Sequence, residues 1–372
     1  MQNYAESAFK FNTLFSILLF GIWYFLPYFI FGLLGVKPPI LEYSVRYVKL
    51  ISISLVFFGI EITATSMLQG IGKTKPIMYI GVLRNCINII LDWLLIFGHL
   101  GFPRMNLEGA AIATTISNLI AGPVLLGFVV LSPKLPFKLS FMRIFKARWE
   151  HYLDIINIGI PAGLETLLWH TGNLFLLRFL NSLDKMAAGI YSLIFAIEII
   201  PFLIYSGLAQ ANTTLVGQKS GAGDFPGVKK VGFQSMVFSY IICIICMVVF
   251  ILFPRSLLSI FSNDPDLINR AIPFLIIVSI TMFPRAINVV TGSGIRGLGD
   301  TRWMLYSQLF GTVYVVILSF IFIFMLQLNM NGMFIAILLD ETTRAVINSI
   351  RFYKGWRILG FNRAGISSMV DL

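Results

Sequence analysis

Glu61, Asp92, Glu165 and Glu198 stand inside long apolar runs of this chain. An ionisable side chain at the centre of a membrane helix costs at least ~2.5 kcal/mol, so each must face a cavity, an ion or a partner. Asp92 follows Asn88 by one helical turn and Asn85 by about two, which puts the three on one face. Carboxylate and amide oxygens in that arrangement coordinate a hard cation such as sodium, or the carboxylate exchanges a proton. The alternative is a polar patch bonded to neighbouring helices. Glu61, in GIEITATS, either faces the same space or pairs with Arg84. Glu165 precedes Trp169 by one turn, and a carboxylate beside an aromatic ring suits a cationic, amphipathic ligand. Glu198 lies near Pro201 in FAIEIIPF, and Arg285 is a candidate partner for Glu165 or Glu198 or a contact for an anionic group. The histidines (His99, His151, His170) are scattered and form no cluster at a membrane face, so the residues do not read as an enzyme. Cys243 and Cys246 form a C-x-x-C without a second ligand pair and read as packing residues.

The elements that carry these residues are membrane helices. Apolar residues make up 57% of the chain and charged ones 12%, against roughly half and a quarter in soluble domains. Ten runs are long enough to cross the hydrocarbon: about 11–34, 44–68, 76–98, 109–131, 156–180, 186–212, 231–253, 268–293, 303–326 and 331–350. The fold expected is an all-α integral membrane protein in a lipid bilayer. The start lacks the pattern of a cleaved signal peptide, so the first run reads as a span. The formal charge of +11 need not mean nucleic acid. With Met1 on the cytoplasmic side, loops on that side hold seventeen Lys and Arg against eight opposite, so both termini are expected to be cytoplasmic. The segment 132–154, with FKLSFMRIFKARWEHYL, reads as an amphipathic connector between an N-terminal lobe (1–131) and a C-terminal lobe (155–372).

One stretch imitates a nucleotide loop. GSGIRGLGDTR contains G-x-G-x-x-G, yet it joins two apolar spans, whereas a dinucleotide fingerprint needs a strand before it. Its twin is MLQGIGKTK, where Gly70, Gly72 and Thr74 precede Gly297, Gly299 and Thr301 by 227 residues (297 minus 70). Phe15 and Ser16 answer to Phe238 and Ser239, and Gly109, Ile112 and Ala113 to Gly332, Ile335 and Ala336, at an offset of 223 (332 minus 109). Spans one to four therefore repeat as spans seven to ten, and spans five and six have no earlier copy.

LQGIGKTKPIMY, the N-x-x-x-D of NIILDWLLIFG, LEGAAIATTIS, IGIPAGLE, LVGQKSGAGD and GIRGLGDTR, in that order, resemble the MATE (multidrug and toxic compound extrusion) transporters. The resemblance implies a twelve-helix fold of two pseudo-symmetric lobes, here present as four plus six helices. It implies alternating access and export of organic cations, drugs or metabolites in exchange for Na+ or H+. It also implies a monomer in the cell membrane without a cofactor beyond the coupling ion. By the same resemblance Asn88 and Asp92 match the spacing of the N-lobe cation site, with Asn85, Glu61 and Thr114 as further members. Glu165, Trp169, Glu198 and Arg285 are expected to form the substrate site. Some branches carry the fifth-span acid a turn later, where this chain has Trp169, and some have an acid in the eighth span, which here holds Pro284, Arg285 and Asn288. The missing counterpart of residues 152–223 reads as two first helices absent before Met1. Two alternatives are a flippase for lipid-linked oligosaccharides or polysaccharides, whose cavity would be lined by arginines such as Arg84, Arg285 and Arg344, and a truncated remnant that does not transport.

Overall fold

A computed structural model describes residues 2–133, 135–136, 150–183 and 186–358, without the side chains of 150–151 and 355–358. Most of the predicted connector lies outside the described residues. These form helices and no strand, in two compact units, Met1–Ile156 and Asn157–Leu372.

The first unit holds α1 (Gln2–Phe25), α2 (Pro27–Leu33), α3 (Ile40–Gly70), α4 (Lys75–Phe97) and α5 (Leu107–Leu131). The helix α6 (Glu150–Leu183) begins at its end and carries the chain into the second unit. There follow α7 (Ala187–Gly221), α8 (Phe225–Leu252), α9 (Pro254–Ser259), α10 (Pro265–Gly297), α11 (Thr301–Phe320), which continues through a π-helical turn Ile321–Met325, and α12 (Asn329–Ile358). Eight helices, α1, α3, α4, α5, α7, α8, α10 and α11 with its extension, are long and apolar enough to cross a membrane. The other two predicted spans fall on α6 and α12, which are 34 and 30 residues long.

Local chemistry sets the breaks. Pro27 stands at the first position of α2, where its fixed φ suits a helix start, so the predicted span 11–34 is split into α1 and α2. Asp224, Asp264 and Asp300 cap α8, α10 and α11, each carboxylate accepting from backbone N–H groups of the first turn. At Asp224 the ammonium of Lys219, 2.8 Å away, also holds the carboxyl below the usual carboxylate range.

The duplication appears as geometry. Elements α1–α5 recur as α8–α12, including the short helices, where Pro27 and Pro254 are 227 residues apart (254 minus 27). Both glycine turns use a left-handed residue at the matched position, Gly72 at φ 75° and Gly299 at φ 83°, a conformation that glycine adopts without steric cost. The helix after each next turn presses on its predecessor. A Cβ at Gly109 would lie 2.7 Å from the backbone of Leu95, and one at Gly332 would lie 2.8 Å from Phe322. In the second unit the ring of Phe352 sits between Gly232 and Gly294, where a Cβ would come within 2.3 and 2.4 Å of it. In the first unit the matching positions hold Phe9, Val129 and Met67, with Phe9 and Val129 buried.

Candidate functional site

The second unit encloses a cavity of about 720 Å³ between α6, α7, α10, α11 and α12. Its walls mix aromatic and aliphatic side chains with seven charged ones: Glu165, Glu198, Arg285, Arg296, Asp340, Glu341 and Arg344. Glu165, from α6, accepts hydrogen bonds from Arg296 of α10 on both carboxylate oxygens. Trp169 follows one turn later on the same wall, half-open at 39% exposure, with its ring 4.9 Å from that of His170. Glu198, from α7, accepts from Arg285, whose Nε also donates to Glu341 of α12 at 2.9 Å. Arg344 holds Asp340 in a fork, Nε and Nη2 donating at 3.0 and 2.6 Å, and its Nη1 donates to Gln308. Gly311 of α11 leaves the room for this pair, since a Cβ there would lie 2.4 Å from Arg344 Cδ.

These charges are buried. Exposure is 8% at Glu165, 7% at Glu198, 4% at Asp340, 6% at Glu341 and 8% at Arg344, so each carboxylate needs its guanidinium to offset lost hydration. A hydrogen-bond relay continues towards the end of the helices that bears the glycine turn. Asn288 donates to Glu341 at 2.9 Å, Asn348 donates to Asn288 at 2.8 Å, and the indole N–H of Trp303 donates to Asn348 at 2.9 Å. Arg351 closes the end of the chain of contacts, stacking on Trp303 at 4.7 Å and pairing with Asp300 at 2.6 Å.

The first unit is sparser. Arg84 of α4 donates to Glu61 of α3 at 2.9 Å, while the second oxygen of Glu61 is buried without a partner. Asp92 Oδ1 and Asn88 Nδ2 are likewise buried and unpartnered, one turn apart on α4. Asn85 is exposed and Thr114 half-buried. Among the described residues no hydrogen bond joins Asp92, Asn88, Asn85 and Thr114 to one another.

Comparison with known proteins places the chain in a family. The family model MatE matches residues 1–94 and 161–321, more than half of the chain, including α3, α7 and α10 in full. The chain belongs to the MatE family. It is 28% identical over 316 residues to the probable multidrug resistance protein NorM of Thermotoga maritima, covering 83% of this chain and 66% of that protein. It is 23% identical to the uncharacterized transporter YisQ of Bacillus subtilis, covering 93% of this chain and 75% of YisQ. Among solved structures it matches a multidrug resistance MATE family transporter of the MOP superfamily, in an outward-facing conformation, with TM-score 0.88 at 18% identity. That match covers 95% of this chain and 79% of the other. The all-α, multi-pass membrane fold of a MatE protein is thus the fold of this chain.

Within the MatE fold the residues singled out from sequence divide. Glu165, Trp169, Glu198 and Arg285 line one cavity. Arg285 pairs with Glu198 and not with Glu165, which pairs with Arg296. Glu61 takes the ion pair with Arg84. Arg344 entered the sequence reading only through the flippase alternative, and Asp340 and Glu341 did not enter it, although DETTR lies within the predicted tenth span and the cost of burying charge applies to it equally. The carboxylates that meet Arg285 and Asn288 of the eighth span thus come from α7 and α12, while Glu165 of α6 meets Arg296 at the end of α10.

Proposed function

We propose that this MatE protein is a secondary-active antiporter of the cell membrane that exports organic cations, drugs or metabolites in exchange for Na+ or H+ by alternating access. The observation that carries this reading is the cavity of the second unit. Its volume falls in the range of drug-sized sites, roughly 300–1,000 Å³. It presents the Trp169 face beside Glu165 and carries four carboxylates against three guanidinium groups, an excess of negative charge suited to a cation. The names of NorM and of the solved transporters support multidrug efflux as the activity.

The coupling ion is assigned to Asp92 and Asn88, with Glu61, Asn85 and Thr114 around them. Support comes from the buried Oδ1 and Nδ2 atoms without partners, because unpaired polar atoms in a membrane helix cost free energy that a bound cation or proton would recover. Turning the Asn88 amide offers its oxygen to the same space. Both termini are assigned to the cytoplasm, on the distribution of Lys and Arg. Export of a lipid-linked oligosaccharide would require free guanidinium groups, and Arg285, Arg296 and Arg344 are each bonded to a carboxylate.

The experiment is efflux of ethidium from proteoliposomes under an imposed sodium or proton gradient. Gradient-driven efflux that weakens in Glu165→Gln is expected. Ethidium movement indifferent to both gradients would overturn the antiport reading.

A further inference from the structure

Lys49 of α3 is half-buried and holds its ammonium over two rings, 5.9 Å from the centroid of Tyr24 and 5.6 Å from that of Tyr28. Tyr24 lies near the end of α1 and Tyr28 in α2, so the three meet where those helices reach α3. Aromatic faces attract a cation but carry no formal charge, and the ammonium stays uncompensated. Among the described residues no carboxylate pairs with it: Glu108 is taken by Arg46, Glu61 by Arg84, and Glu42 stands two turns away towards the start of α3.

The depth of Lys49 decides what kind of anion can reach it. α3 has 31 residues, about 46 Å at ~1.5 Å per residue, against ~30 Å of hydrocarbon. A centred helix therefore overhangs by about 8 Å at each end. Lys49 comes nine residues after Ile40 (49 minus 40), roughly 13 Å along the axis and some 5 Å beneath the hydrocarbon edge, at about 1.5 Å per residue. From that depth a lysine stem carries its ammonium up to the headgroups, the level where tyrosine rings also settle. Both rings are open to the surroundings, Tyr24 at 36% and Tyr28 at 56% exposure. The shared scaffold does not require this cluster. Tyr28 and Lys49 answer to Arg255 and Ile276 in the second unit, each at an offset of 227 (255 minus 28, 276 minus 49), and Arg255 is bonded to Asn269.

We propose that Lys49, Tyr24 and Tyr28 form a binding site for the phosphate of an anionic phospholipid, in the leaflet that borders the α2 end of the first unit. The ammonium is a compact point charge that suits a phosphate oxygen, and a basic pocket between membrane helices is where lipid headgroups settle. The tyrosine rings hold the ammonium at the level of the phosphate. Phe25 and Phe29, 73% and 65% exposed, stand next to them in sequence and offer apolar surface to the acyl chains. Free inorganic phosphate shares the charge but has nothing to lay on that surface.

The test is native mass spectrometry of the purified full chain in detergent micelles, titrated with dioleoylphosphatidylglycerol or with dioleoylphosphatidylcholine. The wild type should bind the first phosphatidylglycerol about fivefold more tightly than the first phosphatidylcholine, the scale set by one lysine at a membrane surface. Lys49→Met should lose that preference while binding phosphatidylcholine as before, which separates a lost headgroup contact from a damaged fold. Lys49→Arg should keep the preference, and inorganic phosphate at constant ionic strength should not compete. Equal affinity for the two lipids in the wild type, an undiminished preference in Lys49→Met, or displacement of phosphatidylglycerol by inorganic phosphate would overturn the assignment.

Discussion

The two units share a scaffold and differ in their charges. At matched positions Glu61 answers to Asn288, Arg84 to Gly311, Asp92 to Ser319 and Phe58 to Arg285, all at an offset of 227 (288 minus 61). On the last helix of each copy, Ser117, Asn118 and Ala121 answer to Asp340, Glu341 and Arg344 at 223 (340 minus 117). The turns and close helix contacts were kept, while the ionisable residues were redistributed. Backbone constraints such as a left-handed glycine or a glycine against a neighbouring backbone follow from the fold and recur with it. The second unit carries a connected ionic core, and the first, among its described residues, has the buried pair Glu61–Arg84, the exposed pair Arg46–Glu108 and, at Asp92, an acid with an unpaired oxygen.

That contrast can be broken experimentally. The largest effect is expected on activity: Asp92→Asn should abolish gradient-driven ethidium efflux while leaving the thermal unfolding midpoint in detergent close to wild type. Efflux at the wild-type rate would remove the first unit from ion coupling. For stability the order should reverse between units. Arg285→Met strands Glu198 and takes one of its partners from Glu341, and should cost about 3–5 kcal/mol, the range for breaking a buried pair, read as a lowered unfolding midpoint. Adding Glu198→Gln should recover part of that loss. Arg84→Met leaves Glu61 without a partner but at a half-open pair, and roughly 1–3 kcal/mol is expected. The smallest effect belongs to Arg46→Ala, whose pair with Glu108 is exposed on both sides and should contribute under about 1 kcal/mol. Equal losses for Arg285→Met and Arg84→Met would erase the distinction between a connected core and an isolated pair.

Much of this was legible in the chain. G-x-G-x-T repeated at a fixed offset gave the duplication, and the apolar runs gave the helices, because both are properties of neighbouring residues. Glu165, Glu198 and Arg285 were found as charges out of place in apolar surroundings. The pair Arg285–Glu198 was one of two options open, and the remaining partners were not visible. Arg296 reads as a loop cation at the end of a span, and nothing local shows that it reaches Glu165, 131 residues away. Asp340, Glu341 and Arg344 sit close enough together to look like a solvated helix face, and their burial is decided by α7, α10 and α11. Pairing across helices is a tertiary property, and one sequence contains no direct signal for it.

The exchange of bulk around Phe352 reaches beyond packing. One copy keeps its large side chains on the first and second long helices, Phe9 and Met67, over a smaller Val129; the other keeps Gly232 and Gly294 there and places the ring on the last helix. Each choice is sound only with its own partners. A recombination that moved α12 into the place of α5 would set Phe352 against Phe9 and Met67, and the reverse would leave a void beside two glycines. The copies can therefore no longer overwrite one another by exchange of single helices, and each half is free to accumulate its own chemistry.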